Sequence, residues 1–220
     1  MRLSRAAGAA TATYGSFTEA EMMARSYRAA QIISIVGLPP LLAIGTIVAL
    51  SSHYIAEPVE ALRVALISSF FIAVAPVLYI VYLLRHDKIS GGADLQHREE
   101  RWRPYLVGIG SCVVGFLVLL QLQAPASILV LTLCYAINTT VMAVITQRWK
   151  ISAHAAGAAL PATALFAAFG TAALAFAVVV PMVCWARVKV KMHTVAQVAA
   201  GALLGTLLTW LQLSLLGPRF

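Results

Sequence analysis

Three short clusters of polar residues contain the side chains that could do chemistry in this sequence. They are residues 94–104, residues 150–154 and residues 185–201, and they include His154, His193 and several arginines. An arginine guanidinium binds phosphate oxygens through two parallel hydrogen bonds. A histidine acts as nucleophile or proton donor near neutral pH. These residue types predict phosphoryl transfer, and they require no metal.

The second cluster adds a serine and a helix start to this set. Ser152 and His154 stand at the beginning of a predicted helix, where free backbone N–H groups favour an anion. Ser152, Lys150 and these N–H groups therefore join the arginines as candidate phosphate ligands. The acidic residues of the first cluster are most simply explained by ion pairs within their own loop. A Mg²⁺ site is the alternative, because carboxylates suit that ion.

The chain that must position these clusters is far more apolar than a soluble protein. Of its 220 residues, 61% are hydrophobic and 11% are charged, whereas soluble chains have about 25% charged residues. Long uncharged runs are typical of helices that cross a bilayer. We therefore expect an all-α, polytopic membrane helical bundle with six to seven crossings. Residues 1–29 are expected to form a tail and an interfacial helix, and residues 30–220 a single membrane domain.

Six apolar runs are the candidate spans. They cover residues 31–50, 64–84, 105–121, 126–146, 155–186 and 194–216. Pro39 and Pro40 predict a kink in the first of them. Residues 155–186 would measure about 48 Å as one straight helix, whereas the hydrocarbon core is about 30 Å thick. They also fit a hairpin of two short helices that turns near Gly170 and Thr171, and length alone does not decide between the two.

The distribution of basic residues favours the hairpin. If residues 155–186 cross the bilayer twice, all but two of the 16 lysines and arginines lie on one side, and the exceptions are Arg63 and Arg219. A single crossing would move the basic residues of 187–191 to the other side. Because loops rich in lysine and arginine are usually cytoplasmic, we expect the side with the three clusters to face the cytoplasm.

The third cluster resembles a motif of the phosphatidic acid phosphatase type 2 superfamily of membrane phosphatases. That motif reads Ser-Arg, five residues, His, three residues, Asp, and here Arg187, His193, Gln197 and the later Gly201 keep its spacing. The family's Pro-Ser-Gly-His motif is similar to residues 151–154. Its remaining motif, a lysine with Arg-Pro seven residues on, is similar to Gln96 with Arg103-Pro104. The resemblance covers roughly residues 94–205.

The resemblance implies a role for each matching residue. His193 would be the nucleophile that forms a phosphohistidine, His154 would protonate the leaving oxygen, and Gln197 would orient His193. The phosphate would be held by Arg103, Arg187, Ser152 and Lys150. The implied substrate is a phosphate or diphosphate ester of a lipid or isoprenoid, and the family mechanism needs neither a metal nor another cofactor.

Three positions depart from the family pattern. Gln96 replaces a lysine, Ala186 replaces a serine and Gln197 replaces an aspartate. A glutamine carbonyl can accept the proton of His193, but it cannot stabilise an imidazolium by charge. A nearby carboxylate would have to supply that charge. The candidates are Asp94, Glu99 and Glu100.

The departures leave a second hypothesis open. The chain would then be a catalytically weak or inactive family member that binds a lipid phosphate or serves as a subunit of a membrane complex. Under either hypothesis the expected partners are lipid or isoprenoid phosphates and membrane lipids, and a homo-oligomer is compatible with both. Nucleic acid is not expected, because no segment interleaves basic and aromatic residues on a surface. A transporter is a third reading, weakened by the lack of an inverted repeat with paired broken spans.

Overall fold

The computed structural model describes residues 19–90, 92, 95 and 97–216. Within these ranges the regular structure is helical, without a strand, which confirms the predicted all-α bundle. The helices are α1 (Glu19–Val36), α2 (Pro39–Tyr54), α3 (Pro58–Ser69), α4 (Ala75–Arg85), α5 (Trp102–Gln121), α6 (Ala126–Thr146), α7 (Ala153–Phe169), α8 (Leu174–Ala177), α9 (Val179–Lys189) and α10 (Val195–Leu216). The expected N-terminal tail, Asp94 and Gln96 lie outside the described residues.

Several of the described helices are long and apolar enough to cross a membrane, so the protein is an integral membrane protein. Five stretches qualify alone: Pro58–Arg85, Trp102–Gln121, Ala126–Thr146, Ala153–Ala177 and Val195–Leu216. A sixth is the pair α1 and α2, which bends by 50°. A proline has no N–H and clashes with the turn before it, so Pro39 and Pro40 begin a new helix. The predicted kink is confirmed, and α1 runs without a break from the expected interfacial segment into the first span.

A π-helical turn, Phe70–Val74, connects α3 to α4 within one span. In this turn the N–H of Ala75 donates to the carbonyl of Phe70, five residues back. The next donor in the series would be Pro76, which has no N–H, so the carbonyl of Phe71 is left over. The hydroxyl of Ser111 on α5 donates to it at 2.6 Å. The π turn is therefore completed by a neighbouring helix, as an apolar environment requires.

The run at 155–186 folds as the predicted hairpin. Helix α7 ends at Gly170, whose φ of 60° is the left-handed conformation that favours glycine. After a short 3₁₀ turn and α8, helix α9 packs back against α7, where Val183 joins Ala158 in one buried cluster. The predicted turn at Gly170 is confirmed.

Helix α10 then lies parallel to α7. A Cβ on Gly201 would approach the carbonyl of Ser152 to 2.5 Å, and a Cβ on Gly205 that of Ala156 to 2.6 Å. Because the residue numbers of α7 and α10 increase in the same direction along this contact, the two helices start at the same end of the bundle and run parallel. This close backbone approach depends on glycine.

This contact supports a matched pair of substitutions. Gly205→Ala is expected to destabilise the protein by about 1–3 kcal/mol, because the new methyl group meets backbone atoms that cannot move aside. Gly110→Ala on α5 is the control, since nothing lies within 4 Å of a Cβ there. The control should be neutral or slightly stabilising, as alanine is the better helix former. Thermal unfolding in detergent measures both, and equal effects would contradict the parallel packing.

Candidate active site

Hydrogen bonds join the three polar clusters at one end of the bundle. The N–H of Ser152 donates to the carbonyl of Gln197 at 3.2 Å and so ties the second cluster to the third. The guanidinium of Arg101 donates from Nη1 to the carbonyl of Ile151 at 3.1 Å, and from Nε to that of Leu95 at 2.8 Å. Segments that are far apart in sequence are therefore neighbours. The expectation that the three clusters share one side of the bundle is confirmed for the described residues.

Five polar side chains at this end are almost completely buried. The exposed fractions are 0% for Ser152, 2% for Arg187, 3% for Arg101, and 7% for His154 and His193. Arginine is rarely buried in proteins, and buried ionisable groups in membrane proteins usually have a function. These side chains are therefore largely shielded from solvent.

The end of α9 brings His193 close to Arg187. Lys191 has a left-handed φ of 58°, which turns the chain back on itself beyond the helix end. The N–H groups of Met192 and His193 then donate to the carbonyl of Arg187, at 3.1 and 3.3 Å. The five residues between Arg187 and His193 therefore form one closed turn. This turn explains why the two residues are close together at that separation in sequence.

Thr194 and Gln197 form a capping box at the start of α10. The N–H of Gln197 donates to the hydroxyl oxygen of Thr194 at 3.3 Å, and the N–H of Thr194 donates to Gln197 Oε1 at 3.2 Å. This is the reciprocal pair expected of Thr, two residues and Gln at a helix start. Thr194 and Gln197 carry this signal in the sequence itself, at the capping-box spacing.

The same glutamine fixes the tautomer of His193. Gln197 Oε1 lies 3.2 Å from the N–H of Thr194 and 3.0 Å from His193 Nδ1. Because a backbone N–H can only donate, the side-chain atom facing it is the oxygen, and the Nδ1 facing that oxygen must carry the proton. Nε2 of the neutral ring therefore keeps its lone pair, as a nucleophile requires.

His193 is neutral at physiological pH. Its pKa is lowered to about 4, mainly by burial; the hydrogen bond to Gln197 raises it, and the positive charges of Arg101, Lys150 and Arg187 lower it. A site with several cations around a neutral histidine has a strong preference for an anion. Lys150 thus lies near enough to His193 to lower its pKa, and its predicted role as a phosphate ligand stays a prediction.

Arg101, rather than Arg103, reaches the buried site. Arg103 is exposed, and its guanidinium lies 5.2 Å from the ring centre of Trp102. Arg101 comes just before α5, and Pro104, Gly108 and Cys112 continue its face along the helix. The motif spacing assigned phosphate binding to Arg103, but Arg103 lies on the exposed face of α5, away from the buried site. The sequence signal that favours Arg101 is its position, three residues before Pro104 and seven before Gly108, on the buried face of α5.

The hydroxyl oxygen of Ser152 is engaged as the N-cap of α7. It accepts a hydrogen bond from the N–H of Ala155 at 3.3 Å, the usual role of serine at a helix start. Ser152 therefore stabilises the start of α7. His154 follows in the first turn of α7, with a fully buried Nε2 atom.

Of the described carboxylates of the first cluster, Glu100 has a structural role. Glu100 Oε1 accepts hydrogen bonds from both the N–H and the hydroxyl of Ser90, each at 2.8 Å. Glu99 is exposed. The oxygen that contacts His193 Nδ1 belongs to Gln197 and is uncharged.

An apolar cavity of about 370 Å³ begins beside Arg101 and His154. Helices α2, α4, α5, α6 and α7 and the π turn form its wall, mostly with aliphatic side chains. This volume is within the usual range for small-molecule sites, about 300–1,000 Å³. His193 is not part of the wall. This cavity could not be predicted from the sequence, because no local pattern reports where packing is incomplete.

Comparisons with known proteins add no family assignment. No family model, curated protein or solved structure matches the chain significantly. Among the described residues, no group of three or more His, Cys, Asp or Glu could hold a metal ion. The fold defines the class of this protein as a helical integral membrane protein.

Proposed function

We propose that this protein is a membrane phosphatase that hydrolyses a phosphate or diphosphate ester of a lipid or isoprenoid through a phosphohistidine at His193. The observation that carries the proposal is a neutral histidine with a fixed tautomer, surrounded by Arg101, Arg187 and Lys150. Arg101 also lines, together with His154, the end of a cavity suited to an apolar chain. The basic end of the bundle is proposed to face the cytoplasm.

The reaction proceeds in two steps. The lone pair of His193 Nε2 attacks phosphorus, the P–O bond to the leaving group breaks, and His154 donates its proton to the leaving oxygen. Water then attacks the phosphohistidine, His154 takes a proton from that water, and the N–P bond breaks to release phosphate. Arg101, Arg187 and Lys150 stabilise the negative charge on the phosphoryl oxygens in both steps.

The purified protein in detergent should release phosphate from at least one member of a panel of phosphatidate and prenyl diphosphates. With substrate labelled in the transferred phosphate, a quench in base should retain label on the protein, because phosphohistidine survives base. Absence of both release and label across the panel would overturn the proposal. Label on the protein without release of phosphate would indicate that the second step, hydrolysis of the phosphohistidine, does not proceed.

A second candidate is a lipid-phosphate binder with little or no turnover. The observation that favours it is the uncharged contact of Gln197 with His193, a histidine that is itself buried. Binding of the same lipids with no turnover, unchanged in His154→Ala, would favour this candidate. Turnover that is lost in His154→Ala would exclude it.

The two neighbouring arginines provide a matched test of the phosphate site. Arg101→Gln is expected to reduce turnover by about 100-fold, the usual cost of one buried electrostatic contact in a transition state. Arg103→Gln should change turnover by less than about threefold, since its guanidinium lies on the surface. Orthovanadate inhibition, measured with unfolding temperature, separates lost anion binding from lost folding. A larger effect at Arg103 would restore the assignment made from motif spacing.

A further inference from the structure

The cavity extends from the basic end to about the middle of the bilayer. Arg101 and Cys112, which both line it, are separated along α5 by about 16 Å at 1.5 Å per residue. On α6 the distance from Thr146, at the basic end, to Tyr135 is similar. Since the hydrocarbon core is about 30 Å thick, the deep end of the cavity lies near the bilayer midplane.

Two polar atoms at this depth have no hydrogen-bond partner among the described residues. They are the hydroxyl of Tyr135 and Oδ1 of Asn138, and both residues line the cavity. Asn138 is only 4% exposed. The two residues are three apart on α6 and so project from the same face of the helix.

The orientation of the Asn138 amide is determined by its other contacts. Its Nδ2 donates to the carbonyl of Cys134 at 2.9 Å and to the hydroxyl of Thr209 on α10 at 3.3 Å. The carbonyl of Cys134 can only accept, so the nitrogen must face it, and Oδ1 is the atom that lacks a donor. Asn138 therefore links α6 to α10 through its nitrogen and leaves its oxygen for another group.

An unsatisfied oxygen inside a membrane protein costs free energy, because no bulk water can reach it. The missing group must donate to Asn138 Oδ1. A hydroxyl meets this need, and its oxygen can at the same time accept from the hydroxyl of Tyr135. A carbonyl could pair only with Tyr135. The pair therefore selects a hydroxyl over other uncharged oxygen groups.

We propose that Tyr135 and Asn138 bind a hydroxyl carried by the apolar chain of a lipid that occupies the cavity. The position of its phosphate beside Arg101 and His154 rests on the proposed function. The ligand class is thus a phosphorylated lipid whose chain bears a hydroxyl about halfway into the membrane. This pair would give the site selectivity for the chain, whereas the basic cluster recognises only the phosphate.

A binding experiment that needs no turnover tests the proposal. Dodecyl phosphate and derivatives with one hydroxyl at successive chain positions, including the terminal one, are titrated calorimetrically against protein in nanodiscs. The wild type should bind one hydroxylated position about three- to tenfold more tightly than the plain chain, the usual value of one hydrogen bond. Tyr135→Phe and Asn138→Leu should each remove this preference without weakening the plain chain.

The variants and outcomes keep this inference separate from the phosphatase proposal. Tyr135→Phe removes only a hydroxyl without a partner among the described residues, so its unfolding temperature should match that of the wild type. Absence of a preference at every hydroxyl position, failure of all chains to bind, or a preference that survives in both variants would overturn the inference. An ordered water bridging the pair would give the first of these outcomes. A clear preference without hydrolysis would overturn the phosphatase proposal alone.

Discussion

Replacing His193 with alanine is expected to lower phosphate release by about 10⁴-fold or more, because the proposed reaction has no covalent intermediate without it. The base-stable label on the protein should disappear as well. The remaining activity would come from Arg101, Arg187 and Lys150, which still bind the phosphate. Initial rates of phosphate release with saturating substrate measure the effect.

Two controls accompany this prediction. His86→Ala removes an exposed histidine that packs on Tyr82, and it should leave turnover unchanged. Added imidazole should partly restore phosphate release to His193→Ala, since it can occupy the vacated space and attack phosphorus. Undiminished release by His193→Ala, in protein that unfolds at the wild-type temperature, would exclude His193 as the nucleophile.

Gln197→Glu is expected to increase turnover by about tenfold or more. Glutamate has the shape of glutamine, so its carboxylate would take the position 3.0 Å from His193 Nδ1. Charge-assisted hydrogen bonds are roughly twice as strong as neutral ones, and the positive charge on the ring grows as Nε2 attacks. Glutamate also suits this third position of a capping box and the positive end of α10. Aspartate is one carbon shorter and would lose the contact with the N–H of Thr194.

The same substitution should shift the pH profile in a known direction. The pKa of His193 is lowered to about 4 in the wild type, so the neutral nucleophile is present above that pH and is lost as the pH falls through it. A carboxylate beside Nδ1 favours the protonated ring and raises the pKa. The acid limb of turnover should therefore move to higher pH in Gln197→Glu. Gln147→Glu is the control, because it adds the same charge on an exposed residue at this end, and it should leave the acid limb of turnover unchanged. Equal shifts of the acid limb in the two variants would contradict a direct contact between residue 197 and His193.

The bundle and most of the site were accessible from the sequence. The bounds of α6 agree with the predicted run, because Pro125 begins it and the polar residues after Thr146 end it. The hairpin followed from charge distribution, which constrains topology more strongly than run length does. Ser152, His154, Arg187 and His193 could be grouped because their clusters stand at helix ends that share one side.

The remaining features depend on contacts between distant segments. Arg101 and Arg103 are equally basic, and only the rotation of α5 against its neighbours makes one buried and the other exposed. The π turn at Phe70–Val74 is completed by Ser111, which no local pattern around Pro76 reports. The cavity exists because five helices leave space between them, and such space is a property of their joint packing.

The parallel contact between α7 and α10 has a consequence for biosynthesis. Neighbouring helices in a chain can pair as soon as both have entered the membrane, but these two can meet only after α9 has returned the chain to the starting side. A nascent chain that ends at residue 186 already contains helices α1 to α8. It still lacks Arg187, His193, Gln197 and helix α10, which packs against α7. Assembly of the candidate site is thus among the last events in maturation, and chains inserted only as far as α8 would lack His193, the proposed nucleophile.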